Sequence, residues 1–507
     1  MIEETNNPNS ELNFSDIHKI VDSHETDPTN IIIANAFQST NFNNIVTNNR
    51  IIDKTNHIFS NEISKTTNTI DQESAGLCWI CGAMTMCRGS IIKKLQLSDN
   101  FHLSLNYFLF WDKLEKCNYF MDFIIKNRKA KFDSEKINNM VSHPISDGGH
   151  WHTFVDLVNK YGLVPESVYR RRVSSKYTAS VNNLLNYKLR EFTAIVMSPN
   201  VSKESKEQCT NDENKELIEL NNIKNNYIKI IVTILVNTLG SPLYPDTVFD
   251  WIHEEKSGKN KKKIIRGLTP LSFYKNYCDV NFDNYVSVIN DPRPRHHFWQ
   301  TYEKTSTTQM VINNDRSNTS HITLNLPIND IVNLITKQVD LGIPIWFSCD
   351  VTKYVNHKHN LMDIDLYNMG LPFNTSFTKM TKADRLDFCD SHACHAMTIV
   401  GYDTKTDNTD NNKSSKKRKH ESNNDSTDNN IVKFKVENSW GDIGDQDGFY
   451  VMTLDWFTTF GYEVIINKDL LTEEQKTAFK KKPKKMKTND PLNKLITDET
   501  CGIVAKA

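Results

Sequence analysis

Gln72-Glu73-Ser74-Ala75-Gly76-Leu77-Cys78-Trp79 leads without a break into Ile80-Cys81-Gly82-Ala83-Met84-Thr85-Met86-Cys87. From residue 79 to 96 the apolar positions Ile80, Ala83, Met84, Cys87, Ile91 and Leu95 recur at helical spacing, so Cys78 stands where a helix begins. A thiol there feels the positive end of the backbone dipole, which favours thiolate. Gly76 allows a tight approach of the chain, and Trp79 can wall the site. The Gln72 amide, six residues upstream, can donate to an oxyanion together with the Cys78 backbone N–H. Taken alone, a Cys-Trp pair at a helix start reads equally as a core cysteine beside a core tryptophan.

A thiolate nucleophile needs a base, and the base needs a group to orient it. His395 opens the apolar run His395-Ala396-Met397-Thr398-Ile399-Val400-Gly401-Tyr402, which reads as a strand. Asn438 opens Asn438-Ser439-Trp440-Gly441 at the end of the next strand, Ile431 to Glu437. Its amide can accept the imidazole N–H while Trp440 shields that bond from water. Each piece alone is weak. In this order they form one constellation for acyl transfer, with Cys78 as nucleophile, His395 as base, Asn438 as orienter, Gln72 at the oxyanion and Trp79 and Trp440 in support.

The chain around this constellation has 507 residues, too many for one small core. Lys plus Arg (61) nearly equals Asp plus Glu (62), so net charge points to no class of partner. No stretch approaches the roughly 20 apolar residues of a membrane span. The segment MIEETNNPNSELNF lacks a signal-peptide profile, so the ten cysteines are expected as thiols in a reducing compartment. Helical patterns at 102–127, 150–161 and 181–193 precede short β-rich runs at 344–350, 395–402, 431–437 and 448–453, an α+β layout in two lobes. In the 431–437 run, Val432, Phe434 and Val436 alternate with Lys433 and Lys435, which predicts one apolar and one polar face.

The expected organisation is an N-terminal arm (1–70) packing on the body, a catalytic body (71–403 and 431–489) with a helical insertion over about 101–290, and a C-terminal arm (490–507). Residues 404–430 contain no apolar side chain and are expected to be a disordered polar and basic insertion at a hairpin tip.

Gln72, Gly76-x-Cys78-Trp79, His395-Ala396-Met397 and Glu437-Asn438-Ser439-Trp440-Gly441 resemble the papain-like cysteine peptidases. Cys78 precedes His395 by 317 residues and Asn438 by 360. A compact papain has about 130 to 150. That surplus resembles the bleomycin hydrolase and aminopeptidase C branch, as do Ser146-Asp147-Gly148-Gly149-His150-Trp151, Thr269-Pro270-Leu271-Ser272-Phe273-Tyr274 and Asn290-Asp291-Pro292-Arg293-Pro294.

The resemblance implies a papain-like two-lobed fold with a large helical insertion, assembled as a homohexamer around an inner channel. It implies a cysteine aminopeptidase acting on peptides through a thioester acyl-enzyme, with no metal or organic cofactor. It also implies a C-terminal arm in the cleft, where the Ala507 carboxylate anchors the substrate's N-terminal ammonium. Leu77 departs from the family's usual Arg before the nucleophile, and His150 from its usual Gln.

Three other readings remain. Cys78-Trp79-Ile80-Cys81 is a C-x-x-C, which elsewhere accompanies disulfide exchange, although no apolar strand leads into it here. The pair with His392, Cys394 and His395 would make a zinc set split across distant halves of the chain. The basic runs Lys416-Lys417-Arg418-Lys419 and Lys480 to Lys487 suit solvated charge, nuclear import or phosphate contacts. A catalytically idle channel assembly binding single-stranded nucleic acid or peptides is therefore the rival function, and the expected location is the cytoplasm, with the nucleus as the alternative the basic runs raise.

Overall fold

The computed structural model describes residues 12–63, 68–132, 134–198, 212–256, 262–304, 311–312, 315–316, 321–405, 431–487 and 489–496. The chain divides into two units, one of residues 1–56 with 364–380 and one of residues 57–363 with 381–507.

In the first unit the apolar knot at Ile31–Phe37 lies in a helix, Pro28–Ser39. Pro28 sits at its start, where a missing N–H costs nothing, and the Asp27 carboxylate caps the Thr29 N–H at 2.7 Å. The Phe37 ring packs on Phe42 and Phe373, centroids 5.1 and 5.4 Å away. Asn48 N–H donates to Leu366 O at 2.8 Å, joining the two stretches of chain that make up this unit.

The second unit holds every other element named below. Its helix Cys78–Leu95 ends at Gln96, whose left-handed φ of 51° stops it. Ile80, Ala83, Met84, Cys87 and Ile91 are all buried, as the spacing predicts. The helices Leu105–Asn127, Ala179–Val196 and Asp212–Leu239 pack on one another. Ser104 caps the first of them by accepting from Tyr107 N–H at 3.1 Å. The region expected to be helical also contains a hairpin, Phe249–Glu254 with Lys262–Leu268.

The main sheet runs, edge to edge, through Val355–Asn356, Leu361–Met362, Phe449–Thr453, Ile431–Glu437, His395–Thr404, Ile345–Cys349, Gly461–Asn467, Tyr285–Ile289, His321–Asn325, Gln300–Lys304 and Lys484–Lys485. Asn61–Glu62 pairs onto the His395 strand. All four β-rich runs read from the sequence are therefore strands of this sheet, and the mixed α+β fold agrees with the sequence reading.

In the Ile431–Glu437 strand Lys433 and Lys435 share a face, as the alternation predicts, and a ring lies over it. The Phe59 ring lies 5.0 and 5.7 Å from their ammonium groups, and Lys433 is buried.

The Cys78 helix crosses the sheet where it carries Gly82. A Cβ on Gly82 would lie 3.0 Å from Trp346 Cδ1 and 3.4 Å from Met397 O, so a side chain here would press on the Trp346 ring and glycine keeps the approach of helix and sheet close. Thr398 Oγ1 donates to Gly82 O at 3.1 Å across the same contact. Residues four apart share a helix face. Cys78 thus lies one turn before the contact with Met397 and Thr398.

Candidate active site

The approach to the helix is fixed by Asp147. Its Oδ2 accepts the Gly76 N–H at 3.1 Å, and its main-chain carbonyl accepts the Trp79 indole N–H at 2.9 Å. Lys113 Nζ stands 2.5 Å from Asp147 Oδ1, Asn182 donates to the same oxygen at 2.9 Å, and Thr178 donates to Oδ2. Burial pushes the Asp147 carboxyl up. The Lys113 ammonium and the hydrogen bonds from Lys113, Thr178 and Asn182 outweigh it and hold the group well below the usual carboxylate range.

Trp79 is clamped from two further sides. Its carbonyl accepts from the Trp346 indole at 3.1 Å, and Gly149 lies flat on its ring, where a Cβ would come within 2.5 to 2.7 Å of ring carbons. The loop before Cys78 and the side chain after it are therefore both held. Cys78 and Leu77 are fully buried.

Gln72 is tied to the turn that carries Asn438. Its N–H donates to Ser439 O, and its Oε1 accepts from the Ser439 hydroxyl, each at 2.8 Å. Asp71 bridges Trp440 in the manner of a strand pair. Arg171 donates to the carbonyls of Asp71 and Gln72, the latter at 3.0 Å. Oε1 is thus engaged by Ser439.

The strand register explains how base and orienter meet. Thr398 pairs with Glu437 and Ile399 with Val436 in antiparallel fashion. Continued past the strand's end, this register sets Asn438 opposite Met397 and Trp440 opposite His395. His395 and Met397 project from one face, because strand side chains alternate.

His395 Nε2–H donates to Asn438 Oδ1 at 2.8 Å, and that oxygen also accepts the Ser439 N–H at 2.8 Å. The Trp440 ring covers His395 at 4.8 Å between centroids, with 31° between planes. His357 meets the other part of Trp440 edge-on at 4.9 Å and contacts Tyr450 Oη through Nδ1 at 3.1 Å. Burial, and after it the charge of His395, lowers His357 to about 4, so this second imidazole is neutral near pH 7. His395 is fully buried and Asn438 nearly so.

A narrow crevice beside the His395–Asn438 bond is lined by Cys81, Gly82, Thr85, Ala396, Met397 and Asn438, among others. The first turns of the Cys78 helix thus meet the starts of both motif segments. Of the residues singled out in the sequence, Gln72, His395, Asn438 and Trp440 are linked by these contacts, Trp79 is held by Asp147, Trp346 and Gly149, and Cys78 is the first residue of its helix. Ala507 and residues 406–430, which hold the Lys416–Lys419 run, lie outside the described residues. Lys484–Lys485 forms an edge strand against Tyr302–Glu303 with its lysines exposed. Among the described residues no group of three or more His, Cys, Asp and Glu side chains is placed to hold a metal ion, so the zinc set is not assembled. No described helix is long and apolar enough to cross a membrane.

Sequence reasoning missed Asp147 as a support of the nucleophile loop. The only signal was a charged residue just before the Gly-Gly-His-Trp segment. It also missed Ser439, Tyr450 and His357, whose roles arise from pairing between distant strands.

The arrangement has known relatives. The sequence profile of the Peptidase C1-like family matches residues 11–426 and 421–493. Bleomycin hydrolase of Homo sapiens is 28% identical over 491 residues, covering 96% of this chain and 99% of that protein. Aminopeptidase C of Listeria monocytogenes is 30% identical over 438 residues, covering 86% of this chain and 88% of its own length. The crystal structure of PepW from Lactobacillus rhamnosis superposes with a TM-score of 0.81 at 29% identity, covering 96% of this chain and 99% of that one. The chain belongs to the Peptidase C1-like family of cysteine peptidases.

Proposed function

We propose that this chain is a cysteine aminopeptidase that removes N-terminal residues from peptides through Cys78, His395 and Asn438. The observation that carries the reading is the 2.8 Å bond from His395 to Asn438, on strands crossed by the helix that begins at Cys78. In the reaction, Cys78 thiolate attacks the first peptide carbonyl while His395 is imidazolium. Gln72 and the Cys78 N–H hold the oxyanion, and His395 Nδ1–H protonates the departing amine. A thioester remains. Neutral His395 then takes a proton from water as the water attacks it, and the amino acid leaves with regeneration of the thiol. Asn438 holds the ring through both steps, and Trp440 keeps water from their bond.

The exopeptidase reading has support at the other end of the chain. Gly149 and Ile496 exchange main-chain hydrogen bonds of 3.0 and 3.2 Å, which brings the C-terminal segment to the glycine that packs on Trp79. The segment beyond would fill the non-primed side, with the Ala507 carboxylate receiving the substrate's ammonium. A homohexamer is part of the same proposal and would give a sixfold mass by light scattering.

Wild-type protein should release single residues from the amino end of an unblocked peptide and leave its N-acetylated form intact. Cys78→Ala should release none. Internal cleavage of the acetylated peptide would refute the aminopeptidase reading, and turnover by Cys78→Ala would refute the nucleophile.

A further inference from the structure

The reaction uses the first cysteine of the C-x-x-C, Cys78, and gives the second, Cys81, no part. Cys78 and Cys81 are the first and fourth residues of the helix Cys78–Leu95, and both are buried thiols. Positions three apart in an α-helix have Cα atoms about 5 Å apart. That lies within the roughly 4.4 to 6.8 Å span that a disulfide bridges. Both cysteines sit in the first turn, where the Cys81 N–H donates to Leu77 O at 2.9 Å. The preceding residue, Leu77, has non-helical dihedrals (φ −102°, ψ 16°) and caps nothing with its side chain. Cys81 borders the crevice that Asn438 borders, so this residue lies on the side of the helix that meets the His395 strand.

The second thiol pair involving this helix is Cys87 with Cys278. Cys87 lies nine residues along the helix from Cys78, about 13 Å at 1.5 Å per residue, too far to reach its sulfur. Cys278 receives a hydrogen bond from Ser90 at 3.9 Å and belongs with Cys87, not with the site.

We propose that Cys81 is a resolving thiol for Cys78, converting peroxide damage at the nucleophile into a reversible Cys78–Cys81 disulfide that switches the peptidase off. The proposal rests on the reading of Cys78 as the reactive thiol. The oxidant is a hydroperoxide. Cys78 thiolate attacks one peroxide oxygen, the O–O bond breaks, and the sulfenic acid forms with release of hydroxide, or of an alkoxide from an organic peroxide. Cys81 sulfur then attacks Cys78 sulfur and expels the hydroxyl, which leaves as water with the Cys81 proton. The two cysteines lose two electrons and two hydrogens, and the peroxide gains both. An external dithiol reverses the change by exchange. Without Cys81 the sulfenic acid is open to a second peroxide and to sulfinic acid, from which a dithiol does not recover it.

The test uses the full chain as wild type, Cys81→Ala and Cys81→Ser, each exposed to hydrogen peroxide and then alkylated. Peptides are mapped by mass, and aminopeptidase activity is read before and after dithiothreitol, relative to each protein's untreated sample. Wild type should give a Cys78–Cys81 peptide two hydrogens lighter than the dithiol and regain most of its activity. Both variants should accumulate Cys78 sulfinic acid and regain several-fold less. Equal recovery in all three proteins, sulfinic acid at Cys78 in wild type as in the variants, or a Cys87–Cys278 bridge alone would overturn the proposal. The bridge is read by mass without any activity. Its absence therefore stands apart from failure of the catalytic reading, which would appear as turnover by Cys78→Ala.

Discussion

Replacing Asn438 by alanine removes the only side chain that accepts the His395 Nε2–H in the described structure, at 2.8 Å and in full burial. During acylation the ring is imidazolium, so the lost bond is one to a charged donor, a class worth about 1.5 to 3 kcal/mol. At about 1.4 kcal/mol per decade this predicts a fall of about 10- to 150-fold in kcat/KM on an aminoacyl fluorogenic substrate. The loss should appear in kcat rather than KM, because Asn438 orients the base and does not grip the peptide. Asn438 Oδ1 also accepts the Ser439 N–H, so the thermal midpoint is measured alongside to separate misfolding from misorientation. A folded variant within about threefold of wild type in kcat/KM would refute the orienting role.

Gly149→Ala should damage the site without touching its chemistry, because the added methyl would lie 2.5 Å from the Trp79 ring, and overpacking of this kind costs about 1 to 3 kcal/mol. A lower denaturation midpoint with reduced kcat checks it. Asp147→Ala leaves the Lys113 ammonium, fully buried, without its carboxylate, and should destabilise the fold by about 3 to 5 kcal/mol in urea titrations. Because the folded-state pKa of Asp147 is depressed, its contribution is present above the ordinary carboxylate range and lost as pH falls through and below it. His150 and His321 behave differently. Burial lowers His150 to about 3 and His321 well below its ordinary value, so the unfolded chain takes up protons that the folded chain refuses. Stability should fall as pH drops below about 6.5, by about 1.4 kcal/mol per pH unit for each imidazole. His150→Gln should flatten this slope by about one proton in denaturation midpoints taken between pH 4 and 7.

The placement of the proposed site residues on their elements was legible in the sequence. Cys78 before a helix, His395 before a strand and Asn438 after one can each be placed by local pattern alone. The strands at 345–349, 395–404, 431–437 and 449–453 announced themselves by β-branched and aromatic runs. What local pattern could not give is what lies against each residue. Lys433 and Lys435 read as the polar face of a strand, and that pattern does not show the Phe59 ring, more than 370 residues earlier, lying over both. Asp147 read as one residue of a polar segment, yet its partners Lys113 and Asn182 come from two separate helices. The strands Tyr285–Ile289 and His321–Asn325 pair in parallel, a contact that leaves no trace in either segment by itself. The hairpin Phe249–Glu254 with Lys262–Leu268 interrupts a region whose neighbours are all helical, and its alternation is too short to outweigh them.

The sulfur of Cys78 is the point on which the account turns, and a thiol-directed epoxide tests it most directly. The account predicts that one equivalent modifies Cys78, that peptidase activity falls in step with the label, and that Cys81, Cys87 and Cys278 stay unmodified. Labelling spread over several cysteines, or full activity with Cys78 occupied, would contradict it.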